Sequence, residues 1–102
     1  MRLSDAQLAQ VCARAGFRGA ALTNAVAVAL AESGGDTQAV NVNSDATRSR
    51  DRGLFQINSR WHPEVTDAAA FDPAANAAAA YRISAGGTDW SQWSTWPVLA
   101  AA

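Results

Sequence analysis

Apolar residues at Leu8, Val11, Cys12 and Ala15 recur at three- and four-residue intervals, the spacing of one helical face. Leu3-Ser4-Asp5-Ala6-Gln7-Leu8 precedes them as a start signal. Ser4 can cap, Gln7 completes a capping box, and Leu3 with Leu8 can form a hydrophobic staple. Gly16 is the expected stop, just after Ala15. A second helix is predicted from about Ala20 to Ser33. Leu22, Val26, Ala29 and Leu30 mark one face, and Ala25 and Val28 mark its neighbour. A helix apolar nearly all round is expected to be buried nearly all round, and Gly34-Gly35 supplies its C-terminal cap.

Residues 36–52 are polar and turn-rich. Val40 and Val42 alternate with Asn41 and Asn43, as in a half-exposed strand. SDATRSR reads as a turn, and Asp51–Asn58 as the returning strand of a small antiparallel hairpin or sheet. Asp72-Pro73 opens a third helix, PAANAAAAYRIS, closed at Gly86-Gly87. Thr88 or Asp89 then starts a short helix carrying Trp90, Trp93 and Trp96, stopped by Pro97. The expected fold class is α+β, mainly helical, with a small antiparallel sheet.

Composition narrows the function classes. With 102 residues, 49% hydrophobic and 17% charged, the chain suits one small soluble domain over residues 1–102. A net charge of −1 argues against nucleic acid as a partner. The most apolar run, Ala20 to Ala31, is too short for membrane insertion, and LSDAQL after Met1-Arg2 lacks the apolar run of a signal peptide. A monomer is expected. The single cysteine, Cys12, has no partner for an intramolecular disulfide and reads as a core residue. His62 is the only histidine, with no second ligand at metal spacing, so neither metal nor cofactor is expected. Asn41, Asn43 and Asp45 imitate the start of a calcium loop. Ala46 in place of the turn glycine and Arg52 in place of the bidentate Glu exclude it.

One carboxylate is out of place. Glu32 is the only charge between Gly19 and Gly35, and it stands in the last helical turn. Apolar surroundings disfavour its charged form, and so does the negative end of the helix dipole. Both raise its pKa toward what a general acid requires, although position alone leaves packing as an alternative. A second carboxylate is available at Asp51, beside Arg50 and Arg52, whose side chains point to the other face of a strand. Arginine neighbours and open polar surroundings favour an ionised Asp51. A protonated and an ionised carboxyl together suit glycoside cleavage. A surface ion pair or turn contact is the bland alternative for Asp51.

The stretch ESGGDTQAVNVNSDATRSRDRGLFQINSRW resembles the catalytic region of animal-type (c-type) lysozymes. The carriers are Glu32-Ser33, Thr37 to Asn43, Asp51, and Gly53 to Trp61. Glu-Ser followed by G-L-x-Q-I is similar also to bacterial and phage lytic transglycosylases. More weakly, LAQVCARAGFRGAALTNAVAVALAES and AAYRISAGGTDWSQWSTW resemble the first helices and the Trp-bearing loop of that lysozyme-like superfamily.

The resemblance implies a lysozyme-like fold and cleavage of the β-1,4 bond between N-acetylmuramic acid and N-acetylglucosamine in peptidoglycan. It implies Glu32 as general acid and Asp51 as second carboxylate. Asn43 and Asn58 would bond around Asp51, Gln56 and Asn41 would line the cleft, Trp61 would stack on sugar, and Trp93 would pack against Glu32. Tyr81 has an Ala-rich packing face and a hydroxyl that can reach the cleft. The implied place of action is the bacterial cell wall: extracellular, periplasmic or delivered by a virion. Hydrolysis, transglycosylation to a 1,6-anhydro product, and a non-catalytic wall-binding or structural module remain as alternatives.

Overall fold

The computed structural model describes residues 1–101. In chain order it contains α1 (Asp5–Ala15), α2 (Gly19–Ser33), β1 (Val40–Val42), β2 (Arg50–Arg52), β3 (Ile57–Asn58), α3 (Asp67–Ala70), α4 (Pro73–Ile83) and α5 (Trp96–Ala101). The protein is mainly helical α+β, as the patterning implies. The capping box forms in full: Gln7 N–H donates to Ser4 Oγ at 3.1 Å, and Ser4 N–H to Gln7 Oε1 at 2.9 Å. Leu8 and Cys12 lie buried on the inner face of α1, and burial pushes the Cys12 thiol up to about 11. Asp72 caps α4 by accepting from Ala75 N–H at 2.9 Å, with Pro73 in the first turn.

The three strands form one antiparallel sheet in the order β1-β2-β3. Asn41 faces Asp51, and Asp51 faces Asn58. The sheet therefore sets these three polar residues in one row.

Four expectations need correction. First, α2 is not buried all round. Only Ala25, Val28 and Ala29 are fully covered, and Leu30 is 38% exposed. In so small a domain one helix has neighbours on one side only. Second, Val40 and Val42 gain no buried face; all of β1 is exposed, because no layer covers that edge of the sheet. Third, Asp51–Asn58 is not one strand. The chain leaves the sheet after Arg52 and turns through residues 53–56, with φ of +73° at Gly53 and +51° at Gln56. Leu54 and Phe55 are thereby thrust into the core, and Asp51 does not share a face with Phe55.

Asn76 of α4 secures that turn. It accepts from Phe55 N–H at 2.9 Å and donates to the carbonyls of Arg52 and Ala70 at 3.0 and 2.7 Å.

Fourth, residues 90–95 are successive turns, not a helix. Trp93 N–H donates to the Trp90 carbonyl and Trp96 N–H to the Trp93 carbonyl, each at 3.0 Å. Pro97 does not stop a helix; it lies in the first turn of α5, where the missing N–H costs nothing. Trp90 and Trp93 are core residues. Trp90 stacks on Phe17 at 5.6 Å between centroids, and Trp93 meets its edge at 5.1 Å.

Candidate active site

The end of α2 places the first candidate side chain. Ser33 Oγ donates to the Ala29 carbonyl at 3.0 Å, and Gly34, at φ +62°, returns its N–H to the Leu30 carbonyl at 2.9 Å. The helix end is thus closed, and Glu32 stands half-buried at its rim. It lines a cleft of about 220 Å³. Asp51, Gln56, Ile57, Asn58, Trp61 and His62 line it too, as do Ile83, Gln92, Trp93 and Ser94.

Asp51 is held by neutral amides, not by arginine. Asn58 Nδ2 donates to its Oδ1 at 2.8 Å, and Asn43 Nδ2 to its Oδ2 at 3.2 Å. The Asn58 amide is itself oriented, because its Oδ1 accepts from the N–H groups of Arg60 and Trp61 at 2.9 and 3.2 Å. Its NH2 must therefore face Asp51. Both amides also donate to Ser49 Oγ at 3.2 Å, and Ser49 bonds Asp45, whose carboxyl is drawn down to about 2 by Ser49.

The expectation that Arg50 and Arg52 face away from Asp51 holds, and their charges are used elsewhere. Arg52, 2% exposed, donates to the Ile57 and Val65 carbonyls at 3.1 and 2.9 Å and to Asp67 at 3.0 Å. Arg50 reaches both oxygens of Asp67, at 2.7 and 2.9 Å. The arginines lower the carboxyl of Asp67.

Burial raises the Glu32 carboxyl above its ordinary value of 4.5, a hydrogen bond from Thr95 opposes the rise, and the charge of Asp51 adds to it. The cleft thus holds one carboxyl whose pKa burial raises and one supplied with two N–H donors.

The folded state binds the Glu32 proton more tightly than the unfolded chain does. Its contribution to stability is therefore full below the ordinary value of 4.5 and is lost as pH rises through the raised folded value. Glu32→Gln, which has no charge to bury, should melt above wild type at about pH 7, with the gap closing at about pH 3. Equal melting temperatures across that range, read by circular dichroism, would show that the site imposes no such cost.

Residues 9–95 match the family model described as a lysozyme-like domain. The chain belongs to the lysozyme-like domain family. Among curated relatives it is similar to the kidney isozyme of lysozyme C from Ovis aries, 54% identical over 46 residues, which cover 45% of this chain and 35% of that protein. It is similar also to lysozyme C-1 from Anas platyrhynchos, 48% identical over 61 residues, covering 57% of this chain and 40% of that protein. The milk isozyme of lysozyme C from Bos taurus is 50% identical over 46 residues, 45% of this chain and 30% of that protein. The chain spans only 30 to 40% of the length of these relatives.

In this lysozyme-like domain, six of the residues singled out from sequence line the cleft: Glu32, Asp51, Gln56, Asn58, Trp61 and Trp93. Trp61 is 69% exposed, with the Arg60 guanidinium 4.8 Å from the centre of its ring. Trp93 is buried and anchored by an Nε1–H bond to the Phe55 carbonyl at 2.9 Å. Gln56 has its polar atoms occupied: Nε2 donates to the Ala39 and Gly53 carbonyls, and Oε1 accepts from Asn41 Nδ2 at 2.7 Å. Asn41 and Asn43 do not line the cleft but bond residues that do, Asn41 to Gln56 and Asn43 to Asp51. Tyr81 does not reach the cleft. Its ring lies edge-on to Phe17 at 5.1 Å and packs over Gly16.

Several cleft residues escaped sequence reasoning: Ile57, Ile83, Gln92, Ser94, and Thr95 on Glu32. Gln92 and Ser94 flank the buried Trp93, which was a usable signal. Thr95 lies 63 residues from its partner, with none. His62, read as structural or surface, also lines the cleft. Its Nε2 meets Gln92 Oε1 at 2.9 Å, and its Nδ1 lies 3.4 Å from Glu64. Among the described residues no cluster of acidic, His and Cys side chains suits a metal ion, and no helix is long and apolar enough to cross a membrane.

Proposed function

We propose that this domain is a glycosidase that cleaves peptidoglycan glycan strands at the bond from N-acetylmuramic acid to N-acetylglucosamine. The observation that carries this reading is the pair of unlike carboxyls across one cleft. Burial pushes the Glu32 carboxyl upward, and Asp51 is presented by Asn43 and Asn58. Glu32 donates its proton to the glycosidic oxygen as the bond breaks. Asp51 supplies negative charge toward the positive charge growing at the sugar's anomeric carbon. Trp61 offers an exposed ring for sugar stacking at the cleft rim. The names of the similar proteins, all lysozymes C, support the same class of chemistry. The place of action in this reading is the bacterial cell wall.

The Gly53-Leu54-Phe55-Gln56-Ile57 run after Glu32-Ser33 favours a second route, because it resembles lytic transglycosylases. In hydrolysis, water attacks the anomeric carbon and leaves a reducing muramic acid end. In transglycosylation, the muramic acid's own 6-hydroxyl attacks it and leaves a 1,6-anhydro end.

Mass analysis of peptidoglycan digested by wild type and by Asp51→Asn separates the two. Reducing ends, with activity reduced on the order of 100-fold in Asp51→Asn, are the expected result. The substituted amide brings one acceptor in place of two, against two amide donors already in place. Anhydro ends with activity retained in Asp51→Asn identify the transglycosylase instead. Binding without cleavage by wild type overturns the enzymatic reading.

A further inference from the structure

The first turn of α5 contains a bond from Leu99 N–H to the Thr95 carbonyl at 3.2 Å, so Thr95 flanks the start of that helix. A threonine in that position commonly turns its hydroxyl onto the free amides of the first helical turn. Here the hydroxyl is half-buried and donates to Glu32 Oε2 at 2.7 Å. Because α5 packs on α2, this contact joins the two helices at the edge of the cleft.

A protonated carboxyl has one O–H and one bare oxygen, and only the bare oxygen accepts readily. We propose that Thr95 is a positioning residue for Glu32: its hydroxyl holds Oε2 as the acceptor and leaves Oε1 to carry the transferable proton. The inference rests on the reading of Glu32 as general acid. Without the hydroxyl, either oxygen can hold the proton, and the side chain loses the contact that fixes its torsion.

The same bond stabilises the carboxylate, so it moderates the upward pull of burial. The charged surroundings of Glu32 are few. It is the only titratable side chain of α2, and the described residues of α5 carry none. α1, the other helix packed on α2, carries Asp5, Cys12 and Arg14. Asp51 and His62 line the cleft with Glu32, and Asp51 is the charge that raises its pKa. Asp89, in the segment before α5, is engaged by Ser91 N–H at 3.0 Å.

The test compares Thr95→Val, Thr95→Ala and Thr95→Ser with wild type. The Glu32 carboxyl carbon is titrated by NMR, and the pH profile of peptidoglycan cleavage is recorded in parallel. Thr95→Val removes the hydroxyl at nearly constant volume. Its Glu32 pKa should rise by about one unit, a tenfold gain in proton affinity. The alkaline limb of its activity should move up equally, and its plateau kcat should fall with KM unchanged. Thr95→Ala, for the case in which valine does not pack, should do the same, and Thr95→Ser should restore wild-type behaviour.

A Glu32 pKa unchanged in the folded hydroxyl-less variant overturns the proposal, as does a Thr95→Ser protein shifted as far as Thr95→Val. Wild type that cleaves no peptidoglycan defeats the glycosidase reading instead. The NMR titration still reads the Thr95–Glu32 bond in that case.

Discussion

Glu32→Gln should lose at least about 100-fold in peptidoglycan cleavage, the lower range for removal of a general acid, while keeping its fold. Glutamine fills the same volume, and its amide oxygen can still accept from Thr95. It has no proton to give to a leaving oxygen. The site loses its chemistry and little of its structure, and the variant should bind glycan as wild type does. Turbidity clearing of cell walls measures the loss, and a pull-down with insoluble peptidoglycan measures retained binding. Activity within a factor of a few of wild type would remove Glu32 from the mechanism.

The same group sets the pH dependence. A general acid works only while protonated, so wild-type activity should fall as pH rises through the Glu32 value, which burial has lifted above 4.5. The proton that supports catalysis also relieves the folded state of a half-buried charge. Stability and activity should therefore decline together as pH rises through that value, and Glu32→Gln separates them by being stable and inactive.

Gly53→Ala should unfold the protein, or cost about 3 kcal/mol or more. That is a large share of the roughly 5–15 kcal/mol typical of a domain. Two effects add. The φ of +73° is strained for any residue with a Cβ. A Cβ there would also collide with the Ala70 carbonyl oxygen and lie 2.6 Å from Asn76 Nδ2. Neither can withdraw, because Asn76 is buried and bonded to the Arg52 and Ala70 carbonyls and to Phe55 N–H. A melting temperature within a few degrees of wild type would mean that the turn relaxes more easily than its hydrogen bonds imply.

The turn at Gly53 also shows where sequence patterning stops. A period of two across Asp51–Asn58 is compatible with one strand, and the glycine within it did not overrule that pattern. The partner that forces the bend, Asn76, is 23 residues further on, in a helix whose sequence reveals only an alanine-rich face. The tryptophan segment is similar. Spacing of three is shared by a helix and by a run of turns. Only the packing of Trp90 and Trp93 against Phe17 and Phe55 selected the turns.

The determinants legible in the sequence by itself were local ones. The Ser4–Gln7 capping box, the Asp72-Pro73 start and the Gly34 stop depend on residues within a few positions of each other, and each formed as patterned. A small antiparallel sheet also formed, although the row of Asn41, Asp51 and Asn58 exists only because the expected strand breaks into β2 and β3. Glu32 was conspicuous because a lone acid at the wrong end of a neutral helix is unfavourable by local electrostatics alone.

Tertiary structure decided what surrounds those residues. It assigned the arginines beside Asp51 to Asp67, turned Tyr81 onto Phe17, and brought Thr95 to Glu32 across 63 residues. Hydrogen bonds and desolvation act over a few ångströms of space and are indifferent to separation along the chain. The unfavourable placement of Glu32 could therefore be read from its own helix, whereas the partners that hold and tune it exist only once the helices have packed.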